Sequence, residues 1–170
     1  MSLFSLAHSV QLMDVAITPL CFMSLFYPIM APAMTFGEMY AVLFSAQMAA
    51  TTMGFVIGGL VPAKNVAMTG IVVAVCVILI AGVNPAYSSF SPALKFIASL
   101  TIMQRYVAAL LVKELLSAPE IELTTMKHII RQRDYTETAY EDGIFAMWMM
   151  TLVFLLVAFL LMAYDRRKHG

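Results

Sequence analysis

Four stretches of this chain, 15–37, 39–62, 66–83 and 144–164, contain no Asp, Glu, Lys, Arg or His. A helix rises about 1.5 Å per residue and the hydrocarbon of a bilayer is about 30 Å thick, so uncharged apolar runs of about 18 to 24 residues read as membrane spans. Lipid offers backbone amides no partner, and a helix satisfies them within the segment. The expected fold class is an all-α membrane protein. Four transmembrane helices are expected, with an outer helical segment, amphipathic or re-entrant, before the last one. Composition agrees, since 62% hydrophobic and 12% charged residues exceed what the core of a soluble domain needs.

The distribution of cations sets the orientation. Arg166, Arg167 and Lys168 follow the last span, and Lys64 lies in the short turn between the second and third. Cytosolic loops carry the excess of Lys and Arg, so four crossings place both termini and that turn in the cytosol. The chain is then divided into an amphipathic N-terminal connector (1–14), three spans (15–83), an extracytosolic helical segment (84–143), the last span (144–164) and a cytosolic basic tail (165–170). It is an integral, multi-pass protein of the plasma membrane or an internal membrane. A formal net charge of zero gives no sign of a nucleic-acid partner.

The outer segment has helical apolar spacing through Phe96, Ile97, Leu100, Met103, Val107, Leu110 and Leu111, interrupted by Lys95, Arg105 and Lys113. Helices at or dipping into the interface fit this pattern better than a fifth crossing. Within the spans, Gly54, Gly58 and Gly59 give a small-x3-small face for close helix packing, more simply inside this chain than as a homodimer seam. Gln47, Thr51 and Thr52 are expected to supply interhelical hydrogen bonds, with contact to a solute as the alternative. Pro19 and Pro28 are expected to kink the first span. Arg105 is read as a headgroup anchor or the partner of Glu114 or a loop acid.

Chemistry-bearing patterns are sparse. His8, His128 and His169 are far apart and lack partners at ligand spacing, so no metal site is expected, and no catalytic or cofactor-binding residue is assigned. An intramembrane enzyme needs ionisable groups at bilayer depth, and none of the four apolar stretches holds one. Two function classes remain, a transporter part and a non-transporting four-span scaffold or interaction protein.

Some of these features form a series. Pro19, Phe26-Tyr27 and Pro32 mark the first span and its exit, Gly54-Phe55-Val56-Ile57-Gly58-Gly59-Leu60-Val61-Pro62 closes the second, and Arg105-Tyr106-Val107-Ala108-Ala109-Leu110 follows in the outer segment. In this order, with a basic tail after the final span, the chain resembles the C-terminal part of the membrane domain of G-subfamily ABC transporters, the type-2 ABC exporter membrane domain. Arg105 and Tyr106 form the outer-segment motif of that resemblance. It implies a transmembrane pore part that exports lipid-like or amphipathic solutes by alternating access. Its implied partners are the lipid bilayer, an ATP-binding domain and a second ABC membrane domain, as a homo- or heterodimer. The third span would line the central cavity, and Val73, Val77 and Ile80, one helical stripe, are the expected wall of the solute path.

The chain departs from the family pattern in three places. Ala109 stands where many members carry an acid, the outer segment lacks cysteine, and the family's first two spans have no counterpart. No Gly-x4-Gly-Lys-Ser/Thr loop occurs in the sequence, so these residues are not expected to hydrolyse ATP, which would be held by a partner or a further domain. The chain is expected to be a fragment of a longer transporter, a truncated product or a subunit dependent on another chain.

Overall fold

The computed structural model describes residues 3–81, 87–118 and 123–169. Seven α-helices are present among them: α1 (Leu3–Met30), α2 (Phe36–Leu60), α3 (Val66–Leu79), α4 (Pro92–Ser99), α5 (Ile102–Ser117), α6 (Leu123–Gln132) and α7 (Ala139–His169). No strand occurs among the described residues, so the chain is an all-α membrane protein. Three segments are long and apolar enough to cross a bilayer: 13–30 of α1, Phe36–Leu60, and Ala139–Tyr164 of α7.

Helices α1 and α2 form an antiparallel pair. Tyr27 Oη donates to the Met34 carbonyl near their turn, and Tyr40 Oη donates to the Ala16 carbonyl farther along. Ala31 ends α1 at φ 43°, its N–H bonded to the Tyr27 carbonyl, and Pro32 prevents the helix from continuing. Helix α2 starts on a capping box: the Thr35 side chain accepts from the Glu38 N–H while the Glu38 carboxylate accepts from the Thr35 N–H. Helix α1 continues without interruption past residue 14, so the expected connector is its first turns rather than a separate segment. Pro19 and Pro28 both lie inside it, and each removes one backbone donor.

Helices α2 and α7 run side by side in the same direction. Tyr140 Oη donates to the Glu38 carbonyl at one end, and Gly59 meets Leu161 toward the other. The turn carrying Lys64 and the C-terminal end of α7 therefore lie at the same end of the bundle. The main core cluster joins the helices, with Val42 and Ala49 of α2, Ile102 and Ala109 of α5 and Met147 of α7.

The third expected span is shorter than its apolar run. Helix α3 stops at Leu79, where the Ile80 N–H bonds the Cys76 carbonyl and the Ala81 N–H bonds the Ile78 carbonyl. Its 14 residues reach about 21 Å, less than the hydrocarbon thickness of about 30 Å. Absence of charge reports apolarity, not helix length, and Val83, the expected end of the span, lies outside the described residues. The chain still passes between the ends of the bundle here: Pro62 follows α2 at one end, and Tyr87 stacks on Tyr135 at the other, 5.7 Å between ring centroids.

Helices α4 and α5 are bent by 89° at their junction. Lys95 of α4 pairs with Asp134 just before α7 begins, and Lys113 of α5 pairs with Glu38 at the start of α2, so the hairpin enters and leaves at one end. This sharing of one end is the arrangement of a re-entrant element and not of one straight span. The α5 arm is buried between α2 and α7 through Ile102 and Ala109, while Val112 packs on Ile130 of α6 and on Ala139 at the start of α7.

Candidate functional site

Two features of the bundle concern function: a cleft between α1, α2 and α5, and a polar junction that fixes the re-entrant hairpin. The cleft has a volume of about 210 Å³ and is lined by Thr18, Pro19, Phe22, Leu43, Gln47 and Tyr106. Pro19, Phe22 and Leu43 give it apolar walls. Gln47 and Tyr106 bring an amide and a phenol to the same space, and Thr18 donates its hydroxyl to Asp14 at 3.1 Å. Its volume lies below the roughly 300–1,000 Å³ of a usual small-molecule site, so it is an open groove between the helices that takes at most part of a solute.

Gln47 reached the cleft, while its expected companions did not. Thr52 bonds back to the Met48 and Ala49 carbonyls of its own helix, as Ser45 does to Ala41 and Thr151 to Met147. The buried hydroxyls thus satisfy themselves within one helix and are not interhelical links, because a hydroxyl can reach the carbonyl one turn back without a neighbour.

The polar junction lies at the end of the bundle where α7 begins. Lys113 Nζ is 2.6 Å from Glu38 Oε1 and stands over the Tyr140 ring at 5.1 Å, while Glu38 Oε2 accepts from the Thr35 N–H and hydroxyl. Adjacent Glu114 accepts from the Ala33 N–H at 2.7 Å and the Met34 N–H at 3.1 Å. The last turn of α5 therefore grips the α1–α2 turn through one cation and one carboxylate. Outside the spans, burial pushes the Tyr135 phenol above its ordinary pKa.

Arg105 does not pair with Glu114. Its Nε donates to the Ser99 carbonyl at 2.8 Å, closing the bend between α4 and α5, and Glu114 is occupied by the α1–α2 turn. Tyr106, beside it, faces the cleft. Of the three glycines, only Gly59 meets a neighbour among the described residues, with Leu161 Cδ1 at 3.3 Å from where a Cβ would sit; Gly54 and Gly58 face nothing within 4 Å. The close-packing glycine that sequence reasoning missed is Gly143, where a Cβ would lie 3.0 Å from both the Ala109 Cβ and the Arg105 carbonyl. Its place at the polar start of the last apolar run made it look like a boundary.

Val73 and Val77 of α3 and Ile80, the residue that caps it, are half-buried, with Val72, Val75, Ile78 and Leu79 exposed on the other side. None of the three lines the cleft. The described residues include no group of three or more His, Cys, Asp or Glu able to hold a metal ion.

These features define a polytopic helical membrane protein with a re-entrant hairpin seated in its bundle. The family model described as ABC-2 type transporter matches residues 1–168, and the chain belongs to that family, as part of a transporter's membrane domain. Membership favours transport over the four-span scaffold, and implies association with the bilayer and with an ATP-binding domain. No curated protein gave a significant match.

Proposed function

We propose that the chain forms the solute-conducting part of a G-subfamily-like ABC transporter. It moves lipid-like or amphipathic solutes by alternating access when a second membrane domain and an ATP-binding domain are assembled with it. The C-terminal end of α7 and the Lys64 turn face the cytosol, and the re-entrant hairpin opens from the other side. The observation that carries this reading is the cleft: apolar on Pro19, Phe22 and Leu43, polar at Gln47 and Tyr106, and set in helices of a transporter family. A groove of this size seats only the polar end and first carbons of an amphipathic molecule, whose apolar remainder stays in lipid. The resemblance to the G-subfamily membrane domain adds Val73, Val77 and Ile80 as a second apolar wall, which would line the cavity shared with a second membrane domain.

Photolabelling tests the reading. A long-chain alcohol bearing a diazirine, offered to the full chain in nanodiscs, is expected to label residues of the cleft saturably and to be competed by the unmodified alcohol. Gln47→Leu should lower the labelling several-fold with no change in melting temperature. Uniform, non-saturable labelling of all lipid-facing helices would overturn it.

A further inference from the structure

Helix α6 carries a feature that solute transport does not use. Its sequence from 127 to 133 reads Lys-His-Ile-Ile-Arg-Gln-Arg, four groups able to carry positive charge within seven residues. Successive residues of a helix are rotated by about 100°, so Lys127, Arg131 and His128 fall within about 100° of arc. Ile130 lies on the other side of Lys127. It is 1% exposed and packs against Ala108, Val112, Tyr135 and Ala139. That contact holds α6 against α5 and the first turn of α7, at the level where the apolar span Ala139–Tyr164 begins. His128 and Arg131 are exposed on the outward face.

Of the nearby carboxylates, one is paired away from this face, one with Lys127 and one with a hydroxyl. Asp134 ends α6 in the left-handed region at φ 64°, where the Tyr135 N–H bonds the Ile130 carbonyl and its own N–H bonds the Arg131 carbonyl, and its side chain pairs with Lys95. Asp142 accepts from the Thr138 hydroxyl at 2.6 Å. Glu137 stands 3.5 Å from Lys127. Among the described residues, Arg131 and Arg133 have no carboxylate within ion-pair distance. Part of the role of Arg131 is to offset the C-terminal dipole of α6, but that needs one cation in the last turn and leaves His128 and Arg133 unexplained, while Lys127 has only its exposed pair with Glu137.

We infer that the exposed face of α6 is a binding surface for anionic phospholipid headgroups. The guanidinium of Arg131 offers paired donors matched to a phosphodiester, and Lys127, one turn earlier, adds a second charge that a lipid phosphate draws away from its long contact with Glu137. The burial of Ile130 fixes the cations at the height where headgroups lie, because the same contact anchors the start of the span. A choline headgroup carries its own compensating cation, so lipids with net negative charge are preferred. The surface would hold α6, and through Tyr135 and Tyr87 the approach to the re-entrant hairpin, against the bilayer.

The test is the lipid selectivity of the full chain in vesicles. Spin-labelled phosphatidylglycerol and phosphatidylcholine are compared by the motionally restricted fraction each contributes. The chain should prefer phosphatidylglycerol about threefold, with the preference falling in about 0.5 M salt, where screening shortens electrostatic reach to a few ångströms. In a background with Arg166, Arg167 and Lys168 changed to Gln, Lys127→Gln/Arg131→Gln should bring the ratio to about one, while Arg131→Lys and, at the opposite end of the bundle, Lys64→Gln keep most of it. Absence of preference in the unaltered chain, or a preference the double variant retains, overturns the inference. An equal loss of melting temperature in neutral and anionic vesicles with the ratio unchanged would also overturn it, assigning these residues to helix stability or a protein partner.

Discussion

Lys113 and Glu38 meet at 2.6 Å across the junction of α5 with α2, and the same Glu38 carboxylate completes the capping box of α2 through Thr35. Breaking the pair therefore disturbs the hairpin and the start of a span together. Both side chains are about 30% exposed, so the coupling is that of a partly screened pair, about 0.5 to 1 kcal/mol in a double-mutant cycle of Lys113→Ala with Glu38→Gln. The cycle is read by thermal melting in detergent at low and high salt. Additive single effects would remove the pair from any account of how the hairpin is held.

Gly143 is expected to be the least replaceable glycine. An added methyl would lie 3.0 Å from the Arg105 carbonyl, a backbone atom that cannot rotate away, and from the Ala109 Cβ. Gly143→Ala should cost about 1 to 3 kcal/mol by forcing α5 from α7, read as a lowered melting temperature. Ala109→Gly in the same background should recover only part of the loss, because the carbonyl contact remains. An unchanged melting temperature for the single variant would show that the helices separate easily.

The other glycines divide differently from the expectation drawn from their spacing. Gly59→Leu must displace Leu161 and should lower stability, whereas Gly58→Leu opens onto space free of described residues and should leave the isolated protein's stability within about 0.5 kcal/mol of the original. If Gly58→Leu instead prevents assembly with a second membrane domain, the Gly54 and Gly58 face is a surface between subunits. A clear loss of stability in the isolated chain from Gly58→Leu would contradict the open face described here.

The spans were legible in the sequence because apolarity without charge is a sufficient signal over 20 residues, as for α2 and α7. It was insufficient for α3, whose apolar run outlasts its helix, and for α5, whose Lys113 looked interfacial but pairs with Glu38 of α2, and whose Glu114 looked like a partner of Arg105 but holds the α1–α2 turn. Pairings between residues about 80 apart, such as Glu114 with Ala33, leave no local periodicity to read. The cleft shows the same limit. Pro19, Gln47 and Tyr106 were each singled out for separate reasons, and only packing of three helices placed them around one space. Gly143 was invisible because its neighbour is a backbone carbonyl, which carries no sequence signature.

Topology separates the re-entrant hairpin from a crossing. In a background lacking Cys21 and Cys76, single cysteines at Ala93, Ser117 and Lys168 are offered a membrane-impermeant maleimide on sealed vesicles. Ala93→Cys and Ser117→Cys should label from one side and Lys168→Cys from the other, since Lys95 and Lys113 share one end of the bundle with the start of α7. Labelling of Ala93→Cys from the side of Lys168→Cys would make α4 and α5 one broken span.

The central claim, that this chain forms the wall of a solute path, is tested most directly by solute-stimulated ATP hydrolysis in the assembled transporter. A phenyl ring added to a cavity wall changes its volume and shape, whereas one added toward lipid changes little. Val77→Phe and Ile80→Phe, on the half-buried side of α3 and at its cap, should each alter the solute profile of stimulation at least several-fold with normal amounts of folded protein. Val72→Phe, whose site is 56% exposed on the opposite side, should match the original. The same profile for all three variants and the unaltered transporter would contradict the account.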